Sequence, residues 1–313
     1  MHHRLSFLRV FIVLGVLLPA AGCSHMDTEA RSQKPAPPLL RFIGAWGMQG
    51  SEPGHLDAPT SVATDALGNV FIADGGSHFI DKFDPQGTPL LSFQDDWVRY
   101  PQSIAIDRGG AIYVADATQG GVFIFLPSGD RYRAFRLRSR PNAEDMLDVA
   151  VGDDGLIFVL DRNARQISAY TPRIRLARTW KVPEVASNSR THASAIASGP
   201  DGYLYFLDAA GSRILRFTHE GRLVSEIVAK PEGAARELGD EFAVSSSAIF
   251  VMDGDGLTLH VLTLDGKPKL NVDLTSELGR ASRFIPPLAA GPHGELLILD
   301  QREARVLRYR VNF

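Results

Sequence analysis

Apolar runs of three to five residues, each closed by an Asp, punctuate the chain at a nearly fixed interval. They are FIAD ending at Asp74, IYVAD at Asp116, IFVLD at Asp161, LYFLD at Asp208, IFVMD at Asp253 and LLILD at Asp300. The steps between these Asp residues are 42, 45, 47, 45 and 47. Nine residues after each Asp stands an apolar anchor: Phe83, Phe125, Tyr170, Phe217, Leu262 and Tyr309. Twelve residues before it stands an aliphatic one, at Val62, Ile104, Val149, Ile196 and Leu288; the fifth copy shortens this step to eleven, at Phe242. Short apolar runs bounded by Gly and Asp turns read as strands. A period in the forties built from such strands predicts an all-β propeller of six four-stranded blades.

The first copy shows the order within a blade. SVATD, LGN, VFIAD, GGS, HFIDKF, DPQG and TPLLSF read as strand, turn, strand, loop, strand, turn, strand. We label the strands A to D from the central channel outward. Gly87, Gly129, Gly221 and Gly266 fall in the C–D turn, where a positive φ suits glycine. The sixth copy ends at Phe313, four residues past Tyr309, and so lacks a strand D. Residues 39–46, LLRFIGAW, precede the first strand A and are predicted to supply it. That pairing removes two open sheet edges at once. The propeller is expected to occupy residues 39–313 and leaves no room for a second domain.

The N-terminal segment has a different character. Residues 1–9 carry Arg4 and Arg9 and no acid, residues 10–18 are apolar, and Pro19, Ala20, Ala21 and Gly22 lead to Cys23. A basic start, a short apolar run and small residues describe a secretory signal, and the run is too short to cross a bilayer as a helix. Cys23 is the only cysteine, which excludes an internal disulfide. Its Ala-Ala-Gly-Cys setting resembles the lipobox of bacterial lipoproteins, with Ala20 where that family prefers Leu. The resemblance implies removal of residues 1–22, palmitate-type acylation of Cys23, and anchoring to a membrane. Ser24, by the family's sorting rule, directs the protein to the outer membrane, on its periplasmic side. Residues 24–38 are polar, end in Pro-Ala-Pro-Pro and read as a tether. The net charge of −3 gives no overall excess that would call for nucleic acid.

Blade one, GSEPGHLDAPTSVATDALGNVFIADGGSHFIDKFDPQG, resembles an NHL repeat, with a Gly-rich approach, a Pro before strand A, an "ADxxN"-type corner and an "rIxxF"-type strand. Blade two, YPQSIAIDRGGAIYVADATQGGVFIFLPSG, resembles it as well; blades three to six keep the spacing but lose the Pro or the Asn. The resemblance implies a six-bladed propeller. Some members of that wider group are enzymes: amidating lyases with zinc on three His, lactonases with calcium, and streptogramin lyases.

An Asp present in every copy serves what every copy needs, so Asp74, Asp116, Asp161, Asp208, Asp253 and Asp300 are expected to accept backbone N–H groups at a turn. Function is sought where the six-fold symmetry breaks, on the face carrying the D–A and B–C connections. The candidate ligand-binding residues there are His55, His78, Gln119, Arg162, Arg165, His192, Arg302 and Glu303. Arg162 and Arg165 are expected to be exposed. His55, His78 and His192 also form the one conceivable zinc set, although His55 and His78 come from the same blade. No metal, cofactor or catalytic residue is expected. Residues 131–181 hold eleven basic residues against six acids, with Arg131 and Arg133, then Arg173 and Arg175, alternating along predicted strands. The expected function is a monomeric, membrane-anchored binding or scaffolding propeller of the cell envelope. Its partner is expected to be a protein or an anionic glycan or lipid; the alternative is a metal-dependent lyase or hydrolase at the channel mouth. Replacing Cys23 by Ser should abolish palmitate labelling and release the protein from the membrane fraction, with its melting curve unchanged. Continued labelling and sedimentation with membranes would refute the lipid anchor.

Overall fold

The computed structural model describes residues 39–116, 118–137, 147–183, 194–229, 238–279 and 285–312. These residues form six four-stranded antiparallel sheets, each with neighbouring strands in A-B-C-D order. Blade one is Pro59–Thr64, Val70–Asp74, Ile80–Phe83 and Pro89–Phe93. Blade two is Ser103–Ile106, Ile112–Asp116, Gly121–Phe125 and Arg131–Arg136. Blade three is Leu147–Val151, Ile157–Asp161, Gln166–Tyr170 and Leu176–Lys181. Blade four is Ser194–Ser198, Leu204–Asp208, Arg213–Phe217 and Leu223–Val228. Blade five is Leu238–Val244, Ile249–Asp253, Thr258–Leu262 and Pro268–Asp273. Blade six is Leu288–Gly291, Glu295–Asp300 and Arg305–Val311, and its fourth strand is Leu40–Trp46. The predicted closure is therefore present.

The apolar runs are continuous because strand B is buried on both faces. In blade one, Val70 and Ile72 pack with Leu297 and Val306 of blade six, whereas Phe71 and Ala73 pack with Ile112 and Val114 of blade two. The period of two along a strand sends alternate side chains to opposite neighbours. The buried apolar side chains fall into six clusters, each shared by two adjacent blades.

Two repeated details hold the outer strands. The C–D pairing shifts register at the anchor nine residues after the Asp, at Phe83, Phe125, Tyr170, Phe217 and Leu262. The same shift recurs where Phe42 pairs Tyr309 and Gly44 pairs Arg308. The C–D turn glycine also does more than adopt φ > 0. A Cβ on Gly129 would lie 2.9 Å from Phe93 of the preceding blade, and one on Gly221 2.8 Å from Trp180. A Cβ on Gly87 would lie 2.2 Å from Trp46. The N-terminal strand thus repeats both the bulge and the aromatic-on-glycine contact of an ordinary strand D. Trp46 also stacks on Phe83 at 4.7 Å, and Phe42 meets Tyr309 edge-on at 5.4 Å.

A chain beginning at Gly47 loses these contacts and opens the edge of Arg305–Val311. It should be less stable to urea than one beginning at Pro37 by at least about 3 kcal/mol, the scale of one large core aromatic. Equal midpoints and slopes for the two would overturn the claim that this strand stabilises the ring.

Candidate functional site

The repeated Asp residues are committed to the scaffold. Asp74 accepts the N–H of Asp57 at 2.7 Å, of Ala58 at 3.1 Å, of Gly76 at 2.9 Å and of Ser77 at 3.0 Å. Asp116 likewise accepts from Arg99 at 2.6 Å, Tyr100 at 2.8 Å and Gln119 at 3.2 Å. Each joins the incoming D–A connection to its own B–C loop. Asp208 and Asp300 take guanidinium groups as well: Arg213 Nε donates at 3.1 Å and Arg305 Nε at 2.9 Å. Arg165 reaches across from blade three and donates through Nη2 to Asp208 at 2.9 Å, with its guanidinium also over the Phe206 ring.

A second repeated contact lines the channel, made by the residue just before each strand A anchor. Ser61 Oγ accepts the N–H of Ile104 at 3.2 Å, and Ser103 Oγ that of Val149 at 3.2 Å. In blade three Asp148 holds this position, and its Oδ2 accepts the N–H of Ile196 at 2.7 Å. Asp148 Oδ1 accepts the Ser103 hydroxyl at 2.5 Å and the N–H of Val149 at 2.9 Å. The next position, Ala195, has no polar atom to offer, and in blade five the position belongs to Glu241.

Blade five breaks the pattern. In blade three Leu147 pairs Asp161, Asp148 pairs Leu160 and Val149 pairs Val159. In blade five Leu238 pairs Asp253 and Phe242 pairs Val251, so Gly239, Asp240 and Glu241 stand opposite Met252 alone. This bulge sets Glu241 on the channel wall and Asp240 beside Arg162; bulges commonly re-aim side chains in this way. Gly239 permits it, since a Cβ there would sit 2.9 Å from Ile285 and 3.0 Å from the Asp253 carbonyl. Arg162, directly after Asp161, lies buried at 7% exposure, with Nη1 3.6 Å from Asp240 Oδ2. Among the described residues its Nε has no hydrogen-bond partner. Glu241 and Asp148 both line the channel. Burial pushes the Glu241 carboxyl well above the usual range; the charges of Asp240 and Asp148 act in the same direction and that of Arg162 against it. Asp148, Asp240, Glu241 and Arg162 form the candidate site.

The expected residues separate accordingly. Arg162 reaches the site, but Arg165 is spent on Asp208, and the expectation that both are exposed is corrected: one is buried and the other ion-paired. Gln119 is half-buried and lines a 430 Å³ groove on blade two with Trp97, Arg131 and Phe135. His78 is exposed at a positive φ of 62°, and Arg302 and Glu303 are exposed and 3.5 Å apart. His55 is half-buried away from the channel, and His192 lies outside the described residues, as does Cys23. Among the described residues no group of three His, Cys, Asp or Glu is arranged to hold a metal. Asp148, Asp240 and Glu241 were missed by symmetry-breaking in the loops alone. Aligning the residue before each strand A anchor exposes two of them: Ser61, Ser103, Asp148, Ala195, Glu241 and Pro287.

The roomier cavity, 650 Å³, opens at the other mouth among the A–B turns. Its charges are already used. Asp65 accepts the N–H of Leu67 and Asn69 within its own turn, Arg108 pairs Asp153 and Glu295 pairs Arg308 and Arg310. We therefore place the site at the mouth bearing Arg162.

No family model matches the chain, and no curated protein sequence does. Its architecture is shared with solved structures. A streptogramin B lyase is 15% identical with a TM-score of 0.64, over 87% of this chain and 98% of that one. A catalytically inactive His-to-Ala variant of virginiamycin B lyase from Staphylococcus aureus, solved with quinupristin, is 14% identical with a TM-score of 0.60, over 82% of each chain. The selenomethionine form of virginiamycin B lyase from the same organism is 15% identical with a TM-score of 0.58, over 88% of this chain and 89% of that one. The likeness is one of fold.

Asp81 is a further departure from symmetry, in strand C of blade one where blades two, four and six have Phe123, Leu215 and Leu307. It is fully buried; Oδ1 accepts the N–H of Gly54 at 3.0 Å and the Ser92 hydroxyl, while Oδ2 and the buried Nδ1 of His55 have no partner among the described residues. Burial raises its carboxyl to about 6, against the hydrogen bonds from Ser92 and Gly54. The folded state thus holds this proton more tightly than the unfolded chain, so stability falls as pH rises from about 4 to about 6 and stays lower above. Two units correspond to a penalty on the order of 3 kcal/mol at neutral pH. Replacing Asp81 by Asn should raise the melting temperature at pH 7.5 by several degrees and change it little at pH 4.5. A variant that melts lower than wild type at pH 7.5 would contradict this.

Proposed function

We propose that this chain is a binding propeller of the bacterial envelope that grips its ligand at the channel mouth through Arg162, Asp240, Glu241 and Asp148. The observation that carries the reading is the blade-five bulge. It places two unrepeated carboxylates beside a buried arginine on a scaffold whose strand-end Asp residues are taken up by the fold. A ligand site is expected where a concave surface gathers a few convergent polar groups and a perturbed titration. The Ala-Ala-Gly-Cys sequence at residues 20–23 and the polar stretch after it support a lipid tether that would hold the propeller at the outer membrane. NHL-type kinship is supported by Arg213 and Arg305, which sit at the arginine position of the "rIxxF" strand and reach back to their own blade's Asp. The outer strand Arg131–Arg136 exposes Arg131, Arg133 and Arg136 as a basic flank for an anionic partner.

One observation favours a second reading, a lyase or hydrolase. A glutamic acid whose carboxyl is held above the usual range by burial is suited to donate or accept a proton, and solved lyases share the fold.

Capture of partners from envelope extract tests the binding reading. Wild-type protein should retain a ligand or partner that the Asp240→Asn, Glu241→Gln double variant loses, while the Arg302→Ala, Glu303→Ala variant retains it. A captured set identical across all three would refute the assignment of the mouth. Turnover of an envelope metabolite by wild type and not by Glu241→Gln would move the reading to the enzyme.

A further inference from the structure

We infer that the channel mouth recognises a zwitterionic headgroup of the α-amino-acid type, its carboxylate on Arg162 and its ammonium between Glu241 and Asp148; this rests on the binding reading above. The argument begins with what the site leaves unmade. Arg162 is more than nine-tenths buried, its closest ion pair is long at 3.6 Å, and Nε donates to nothing among the described residues. A buried guanidinium with an unpaired N–H is costly, and its planar fork matches a carboxylate.

Glu241 accepts no hydrogen bond among the described residues and faces two further carboxylates. The local charge is therefore acidic in excess: Asp148, Asp240 and Glu241 stand against Arg162. A simple anion would add to that excess. A simple cation would offset it but leave Arg162 Nε unpaired. A group carrying both charges satisfies the two sides with no net charge added, which is electrostatic complementarity at short range. The cavity that Asp148 and Glu241 line has a volume of 220 Å³, room for a headgroup rather than a whole drug-sized ligand. The symmetry points the same way, since the residues equivalent to Arg162 are Gly75, Ala117, Ala209, Gly254 and Gln301. Only blade three directs a charged side chain from that position.

An ammonium beside Glu241 favours its ionised form, so binding should expel a proton and tighten as pH rises through the titration of Glu241. An anion that relied on a protonated Glu241 would show the opposite trend.

The test is titration calorimetry on the purified full chain with D- and L-alanine as zwitterions and propionate and ethylammonium as half-ligands. At least one alanine enantiomer should bind. Each half-ligand should bind at least ten-fold more weakly. Alanine affinity should rise with pH, with proton release in two buffers of different ionisation enthalpy. Glu241→Gln should abolish the proton release and weaken alanine at least ten-fold. Arg162→Gln should weaken it similarly, with melting curves reported for both variants; Glu241→Gln keeps the test decisive if Arg162→Gln fails to fold. Propionate or ethylammonium binding as tightly as alanine would overturn the zwitterion. So would the absence of any alanine heat. If envelope capture still depends on Glu241 in that case, the headgroup assignment alone falls; if it does not, the binding reading falls with it.

Discussion

A blade of this propeller has two apolar faces and no interior of its own, so every blade requires a neighbour on each side. An open row of six would leave the first and last faces in water. The ring must therefore close, and the closing strand has to reproduce what a chain-consecutive strand D does elsewhere. Leu40–Trp46 meets that requirement in detail, with the bulge opposite Tyr309 and Trp46 seated on Gly87.

A closed, repetitive scaffold also makes its exceptions informative. Most polar groups near the axis have assigned partners: the strand-end Asp residues hold loops, and Ser61, Ser103 and Asp148 each accept an N–H from the next blade. The wall runs out of acceptors at Ala195, and blade five answers with a bulge instead of a simple repeat. Because the surrounding strands are held from both sides, Asp240 and Glu241 cannot relax back into register. Their mutual repulsion and loss of water are borne by the ring.

The fold was legible because its signals are local and repeated six times: run length, terminal Asp, turn glycine. The site was only half legible. Arg162 and Arg165 look equivalent in sequence, three residues apart in one loop. The left-handed backbone at Arg165, with φ of 47°, accompanies its turn to the neighbouring Asp208, while Arg162 faces Asp240 of blade five. The bulge is invisible in sequence because it is a matter of which residues pair, and ELGDEFAV reads as an ordinary strand entry. Asp81 shows the same limit: it is one polar residue in a strand, and only burial beside Gly54 and Ser92 decides what it does.

The closing strand has a consequence for how the molecule is assembled. Within a blade, most strands pair with one only a few residues away, so five sheets can form progressively from either end. Blade six joins residues at opposite ends of the domain, and the entropy of closing a loop grows with its length. Leu40–Trp46, the first strand of the ring in chain order, is also the last to find its partner. Until Arg305–Val311 arrives, Phe42 lacks its Tyr309 partner and the neighbouring edge accepts any strand of suitable register. Folding of this ring is thus a race between the chain's own beginning and every other molecule able to pair with its end.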